Sequence, residues 1–331
     1  MFREDFVWGV ASSAYQVEGT DAADGRGACV WDMFAADGRV FEHQNAGTSC
    51  DHMHHYKEDI ALMKHLGIRA YRFSLNWARI LPEGTGRVNE KAIAMYRDMI
   101  LTMKENGITP YLTLFHWEFP QALYERGGWQ NPDVVQWFGE YAKVVAENFS
   151  DICEYFITIN EPQCVVGLGH LSGVHAPGVK LPVAQTFLVA HHLLMAHGQA
   201  VINLRRYAVR PVKIGFAPTG GVAYPYTDRP EDIEAAKKVY FGFYNPIDNW
   251  TWNVSWFSDP VFLGHYPEEG LKKFAPYLPE ITQEDMELIY QPLDFMGQNI
   301  YNGYYVRAGA DGEPEFVDRA PGFPKTGSDW P

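Results

Sequence analysis

Short apolar runs alternate with amphipathic stretches along most of the chain. The apolar runs are rich in aromatic and β-branched residues, which is typical of strands that are buried on both faces. They predict six strands, the first from residue 6 and the others at 68–76, 109–116, 153–160, 212–218 and 294–301. The stretches between them predict helices at 51–66, 89–106, 131–149, 183–209 and from 231, whereas the aromatic-rich segment 250–266 is predicted to be a loop.

Local signals set several helix boundaries. Asp51 is predicted to cap the first long helix and Gly67 to end it, because short polar residues favour N-caps and glycine favours the position after a helix. Pro132 suits the first turn of the helix at 131–149, where its missing N–H carries no cost.

The repeated alternation of strand and helix predicts a parallel sheet with helices outside it, either a doubly wound sheet or a barrel. A doubly wound nucleotide-binding fold would carry a glycine-rich phosphate loop after its first strand. The chain has Ala-Ser-Ser-Ala-Tyr-Gln there (11–16) and no G-x-G-x-x-G motif. We therefore prefer the barrel, and predict an α/β fold with six βα units as one domain over 1–331.

Composition and charge restrict the possible partners. Hydrophobic residues make up 47% of the chain, enough for a large core. The net charge is −14 and no basic run occurs, which argues against nucleic acid and anionic membranes as partners. No signal peptide and no apolar run of roughly 20 residues is found, so a cytoplasmic location is predicted.

Neither a metal nor an organic cofactor is predicted. The cluster Asp51-His-Met-His-His55 has no zinc-site spacing and lies at a helix start, where polar residues are ordinary. The four cysteines have no C-x-x-C spacing and are predicted to be reduced.

Candidate chemistry gathers where the predicted strands end. The residues at these ends are Gln16, Arg72, His116, Trp117, Asn160, Glu161, Asn299 and Tyr301. In a barrel they would meet at one mouth, where barrel enzymes act. Amides, an imidazole, an indole and a carboxyl with a single cation suit a neutral polyhydroxylated ligand better than a phosphate.

The chain resembles glycoside hydrolase family 1, the β-glucosidase family, through motifs in the family's order. They are F-x-W-G-x-A-S-S-A-Y-Q-V-E-G at 6–19, Y-K-E-D-I-A-L-M-K-H-L-G at 56–67, Y-R-F-S-L-N-W-A-R-I-L-P at 71–82, T-L-F-H-W-E-F-P at 113–120, T-I-N-E-P at 158–162, H-A-P-G at 175–178 and D-F-M-G-Q-N-I-Y at 294–301. The resemblance implies a (β/α)₈ TIM barrel that hydrolyses β-glycosides with retention. This sequence would contain about six of the eight βα units.

The resemblance also implies a role for each candidate residue. Glu161 would be the acid/base, and Arg72 and Tyr301 would lie beside the nucleophilic carboxylate. The substrate-binding set would be Gln16, His116, Trp117, Asn160 and Asn299, with Trp117 stacking near the sugar.

The sequence departs from the family in one respect. The family's nucleophile lies in an I-T-E-N-G-like motif at the seventh strand, and this sequence ends at 327–331 before such a motif. We therefore expect a barrel that is truncated at its C-terminal end. Glu18, Glu118 and Asp294 lie near strand ends but are not expected to replace the nucleophile, because its placement tolerates little error.

Two alternatives to an active hydrolase remain open at this stage. The chain could be a sugar-binding protein without catalysis, or one subunit of a split enzyme that needs a complementing C-terminal segment. The unpaired edges of an incomplete barrel would also favour self-association.

Overall fold

A computed structural model describes residues 2–20, 24–319, 322 and 324. The segment 327–331 that enters the truncation prediction lies outside the described residues. Six strands form one parallel sheet in the order β1-β2-β3-β4-β5-β7. Their bounds are β1 Gly9–Ala11, β2 Ala70–Ser74, β3 Thr109–Phe115, β4 Tyr155–Asn160, β5 Lys213–Ala217 and β7 Phe295–Met296.

A second, three-stranded sheet lies beyond the end of β5. It consists of β6 Val222–Pro225, β8 Gly303–Ala308 and β9 Pro314–Val317, in the order β6-β8-β9. The pair β6-β8 is parallel and the pair β8-β9 is antiparallel.

Helices connect the strands and cover the outer surface of the sheet. The longer ones are α3 His52–His65, α5 Glu90–Glu105, α7 Val134–Phe149, α9 Val183–Tyr207, α10 Pro230–Phe241 and α11 Val254–Phe262. The shorter ones are α1 Ala14–Val17, α2 Val30–Ala36, α4 Trp77–Ile80, α6 Gln121–Tyr124, α8 Pro162–Val166, α12 Glu268–Phe274 and α13 Gln283–Ile289. Across the described part of the chain, no helix is both long and apolar enough to cross a bilayer.

The six-stranded sheet curls like the wall of a barrel. Four strand spacings separate β2 from β7, about 19 Å in a flat sheet. Arg72 on β2 nevertheless reaches Asn299, just after β7, with 3.1 Å between Nη1 and Oδ1. This contact is possible only in a strongly curved sheet, so the predicted incomplete parallel barrel is confirmed for the described residues.

The core between the sheet and the helices is aromatic. Trp77 is fully buried and stacks on Tyr141 of α7, with 5.0 Å between ring centroids. Its indole nitrogen donates to the carbonyl of Gly84 (2.8 Å), which satisfies its one polar group. This packing holds the outer helices against the ends of β2 and β3.

Four of the sequence predictions need correction at element boundaries. The helix predicted from 131 begins at Val134, because Asn131 Oδ1 accepts the amide of Asp133 (2.9 Å) and keeps 131–133 in a turn. The strand predicted at 294–301 is regular only at Phe295–Met296, which pairs with β5, and beyond it an isolated bridge joins Asn299 to Thr219.

The other two corrections concern the segments at 6–19 and 250–266. The first strand is only Gly9–Ala11, and Gln16 lies in the short helix that follows it. The predicted loop at 250–266 contains α11, because the Asn253 side chain caps the amide of Trp256 (2.8 Å) and starts a helix.

Candidate active site

The site begins at the end of β4, where Asn160 and Glu161 are both buried. Glu161 has a φ of 48°, in the left-handed region that residues with a Cβ seldom occupy. Its amide donates to the carbonyl of Ala217 on β5 (2.8 Å), and Pro162 starts α8 immediately after it. A register shift between β4 and β5 at 157–160 bends the strand end. The backbone therefore turns sharply at Glu161.

Asn160 is the centre of the hydrogen-bond network. Its Oδ1 accepts from Arg72 Nη2 (2.5 Å) and from Asn299 Nδ2 (2.8 Å). Because the oxygen takes both donors, the Asn160 nitrogen must donate, and it lies 3.1 Å from His116 Nε2. The side-chain amide is thereby fixed in one orientation.

His116 is a neutral imidazole in this network. Burial, with the nearby positive charge of Arg72, lowers the pKa of His116 to about 3. Since Nε2 accepts from Asn160, Nδ1 carries the proton, and Nδ1 has no hydrogen-bond partner among the described residues. His116 therefore has one free donor at the end of β3.

The Arg72 guanidinium joins three strand ends. Besides Asn160 and Asn299, it donates from Nε to Thr113 Oγ1 on β3 (3.0 Å). Burial lowers the pKa of Arg72, and the negative charge of Glu161 opposes that shift. The side chain is a cation held by neutral acceptors close to a carboxylate.

The Glu161 carboxyl group has two donors beside it. Asn299 Nδ2 lies 2.5 Å from Oε1, and the Cys164 thiol lies 3.2 Å from Oε2. Burial raises the pKa of the Cys164 thiol well above its usual value, and the charge of Glu161 raises it further, so this thiol stays protonated. Burial also raises the pKa of Tyr301, and Glu161 is the next largest cause.

A cleft of about 430 Å³ opens beside the network and contains Gln16, His116 and Trp117 in its wall. Trp117 has a φ of 88°, and its indole nitrogen donates to the Asn160 carbonyl (3.0 Å). The structure therefore brings together in one network Arg72, His116, Trp117, Asn160, Glu161, Asn299 and Tyr301, and Gln16 lines the adjoining cleft.

Three aromatic side chains of the cleft wall were not predicted from the sequence. They are Tyr15, Trp31 and His175. Trp31 lies 5.8 Å from Tyr15 and 5.4 Å from His175 between ring centroids. Tyr15 and His175 belong to two of the quoted motifs, and those motifs were the signal that could have identified them. Trp31 lies in α2, a helix that was not predicted and that no quoted motif includes.

The three carboxylates set aside as nucleophiles each have a structural partner. Glu18 is paired with Arg79, with 3.2 Å between Oε2 and Nε, and Glu118 accepts from the Tyr15 amide (2.8 Å). Asp294 accepts from the amide of Ile214, at the opposite end of the sheet from Glu161 (2.8 Å). In the described ranges, no group of three or more His, Cys, Asp or Glu side chains could hold a metal ion.

A buried carboxyl surrounded by amide, imidazole and indole groups provides one of the two carboxyl groups that cleavage of a sugar acetal requires, together with groups that bind hydroxyls, and it lies where barrel enzymes act. The fold and the site together define a glycoside hydrolase.

The sequence profile described as glycosyl hydrolase family 1 matches residues 1–320, and the chain belongs to that family. The resemblance found in the motifs is thus confirmed, and the protein is a β-glycoside hydrolase by family.

Relatives and solved structures agree with this assignment. Beta-glucosidase A of Thermotoga maritima is 42% identical, over 99% of this chain and 72% of that protein. Beta-glucosidase A of Acetivibrio thermocellus is 39% identical, over 95% of this chain and 68% of its own length. The structure of the Thermotoga maritima beta-glucosidase in complex with glucoimidazole has a TM-score of 0.86 at 41% identity, covering 99% of this chain and 72% of that one.

Proposed function

We propose that the protein hydrolyses β-glucosides with retention of configuration, and that Glu161 is its general acid and base. The observation that carries the proposal is the position of the Asn299 amide nitrogen, which contacts both Glu161 Oε1 (2.5 Å) and Asn160 Oδ1 (2.8 Å). A sugar hydroxyl held by Asn160 would therefore bring its glycosidic oxygen within reach of Glu161.

The other roles follow from the donors and acceptors of the network. His116 Nδ1 and Gln16 would bind hydroxyl groups of the sugar, and Asn160 would hold the 2-hydroxyl. Trp117 would stack on the C–H face of the ring. Arg72 and Tyr301 would stand beside the nucleophilic carboxylate, and Asn299 would orient both Asn160 and Glu161.

The reaction would proceed in two displacements. In the first, a carboxylate attacks C1, the bond from C1 to the leaving oxygen breaks, and Glu161 gives its proton to that oxygen. In the second, Glu161 takes a proton from water, the water oxygen attacks C1, and the carboxylate leaves. Glu161 can serve both steps because the negative charge of the nucleophile disappears when the covalent intermediate forms.

We propose further that the nucleophile is carried by two additional βα units, in the same polypeptide or in a second one. Within the described ranges, β1 and β7 each pair with one strand of the main sheet, so both edges are free. Apolar side chains lie exposed at these edges, including Val10 and Met296. Two more units would cover them and close the barrel.

An assay with an aryl β-glucoside tests both proposals. We expect weak or no release by the chain alone, and release after addition of a segment that provides the two units and the I-T-E-N-G-like motif of the family. The matched control is the same segment with Gln in place of the motif's Glu, which should restore no activity. Release that is equal with both segments would contradict the complementation proposal.

The second candidate function is sugar binding without catalysis. It is favoured by one observation, namely that Glu18, Glu118 and Asp294 all have structural partners while the hydroxyl-binding groups remain available. Glucose binding by the chain, with no release in either arm of the assay above, would favour this alternative. The single-domain extent 1–331 and the cytoplasmic location stay predictions.

Replacing His116 with Ala should weaken glucose binding by about tenfold, the expected loss of one hydrogen bond from a buried donor. Fluorescence titration with glucose measures this, because Trp117 and Trp31 line the cleft. His65→Ala, on the exposed side of α3, is the control and should bind glucose as the wild type does. Equal affinities for the two variants would remove His116 from the sugar site.

A further inference from the structure

Glu118 is a buried acid that the proposed mechanism does not use. It follows His116 and Trp117 directly and is 1% exposed. Its Oε1 accepts from the Tyr15 amide, and its Oε2 has no hydrogen-bond partner within the part of the chain that the structure describes. A buried carboxyl with one unused oxygen destabilises a fold, so its presence beside the cleft calls for an explanation.

The partner of Glu118 belongs to α1, the four-residue helix that carries Gln16. The N-cap of this helix, Ser13, makes no side-chain capping hydrogen bond. Instead, the amide of Ala14 donates to Ser74 Oγ at the end of β2 (2.7 Å), and the amide of Tyr15 donates to Glu118 at the end of β3 (2.8 Å). Two side chains from neighbouring strand ends therefore hold the first amides of α1.

This arrangement links two residues that line the cleft. Gln16 and His116 both line it but are 100 positions apart in the chain. Glu118 is two positions after His116, and the amide that it holds is one position before Gln16. A change in the Glu118 contact would move Gln16 relative to His116 by way of one short helix.

The surroundings of Glu118 favour its neutral form. The titratable and charged groups that interact with it are Tyr15, Glu18, Arg26, Cys29 and Tyr141. The Arg26 guanidinium is paired with Asp32 (2.6 Å). Burial raises the pKa of Glu118 to about 8, and the amide hydrogen of Tyr15 opposes that rise.

We propose that Glu118 is a positioning residue that sets the affinity of the sugar site by holding the Tyr15 amide and so the orientation of Gln16 relative to His116. The inference rests on the proposed sugar-binding role of Gln16 and His116. The contact persists in both protonation states of Glu118, because a carboxylate is a stronger acceptor for the Tyr15 amide than a neutral acid. The affinity for sugar should therefore depend on the acceptor oxygen of residue 118 and not on its charge.

Three variants of the full chain test the proposal by glucose titration between pH 6.5 and 9, where the sugar stays uncharged. Glu118→Gln keeps the acceptor for Tyr15, so it should bind within about twofold of wild type at every pH in this range. Glu118→Met keeps the length and removes the acceptor, so it should bind about tenfold more weakly. Ile100→Ala, in the core of α5, lowers stability away from the cleft and should leave affinity unchanged.

The wild type should keep its affinity within about twofold as the pH rises from 6.5 to 9, because the ionised acid still accepts from the Tyr15 amide. Unchanged binding in Glu118→Met, or a loss of binding in Glu118→Gln comparable to that in Glu118→Met, would overturn the positioning role. Hydrogen exchange of the Tyr15 amide provides a readout that needs no sugar. It should be slow in the wild type and in Glu118→Gln and fast in Glu118→Met, and equal exchange in all three would also overturn the proposal. Slow exchange of the Tyr15 amide in a wild type that binds no glucose at any pH would mean that the contact exists but the proposed function is wrong. The inference would then be wrong as well.

Discussion

Replacing Glu161 with Gln should lower the rate of glycoside hydrolysis by about 10²–10⁴-fold, the usual contribution of a general acid and base. Glutamine has the same shape and keeps an acceptor for Asn299, so glucose binding should stay close to that of the wild type. Steady-state kinetics on the chain together with its complementing segment measure the effect. The loss should be larger for an alkyl leaving group than for a dinitrophenyl group, because the second departs without a proton.

Glu154→Gln is the matched control for this prediction. Glu161 follows β4, and Glu154 immediately precedes the other end of that strand. Glu154 is exposed and pairs with Lys213 (3.0 Å). The Glu154→Gln variant should hydrolyse glycosides at the wild-type rate. An unchanged rate in Glu161→Gln would mean that another group supplies the proton, and the assignment of Glu161 would be wrong.

Replacing Arg79 with Met should destabilise the fold by about 3–5 kcal/mol, because it leaves a buried carboxylate without its partner. Arg79 is 1% exposed and contacts Glu18 Oε2 and Asp24 Oδ2, each at 3.2 Å. The other oxygen of Glu18 accepts from Tyr96 (2.8 Å), which does not neutralise its charge. The free energy of unfolding in urea measures the loss.

The pH dependence of that loss has a definite sign. Burial raises the pKa of Glu18, and the charge of Arg79 opposes this rise in the wild type. Without Arg79, the pKa in the folded state lies further above that of the unfolded chain. Protonation then stabilises the fold at low pH, and this stability is lost as the pH rises through the folded-state pKa. The deficit of Arg79→Met should therefore shrink as the pH is lowered from about 7 to about 5.

Arg97→Met is the control for Arg79. Arg97 pairs with Asp151 at 2.7 Å, but both side chains are about one-third exposed. A solvated pair of this kind contributes about 0–1 kcal/mol, so this variant should unfold close to the wild-type midpoint. Similar losses of unfolding free energy in Arg79→Met and Arg97→Met would show that the buried Arg79–Glu18 pair stabilises the fold no more than an exposed pair does.

The predicted strands in the middle of the sheet agree best with the structure. The strand predicted at 153–160 is Tyr155–Asn160 in the structure, and the strand predicted at 109–116 is Thr109–Phe115. Both strands have a hydrogen-bonded neighbour on each side and are mostly buried, so local composition and tertiary packing favour the same conformation. At the two edges the agreement was poorer, because within the described residues β1 and β7 each have one neighbouring strand, which limits how many residues pair.

Short polar contacts decided the remaining differences. The turn at Asn131 moves the start of α7 to Val134. The Asn253 side chain caps α11, which lies inside an aromatic stretch that was predicted to be a loop. The same residue types also occur in ordinary turns, so the pattern of apolar positions cannot separate the two outcomes.

The sequence by itself determined the parallel barrel class, the family and the residues at the strand ends, because burial pattern and motif order are local properties of the chain. Only the tertiary structure decided that Asn160 holds its amide in one orientation, that His116 keeps a free donor, and that Glu118 faces the Tyr15 amide. These features depend on contacts between strands that are far apart in sequence. The curvature of the sheet brings these residues together, and the spacing of side chains along one strand does not predict that curvature.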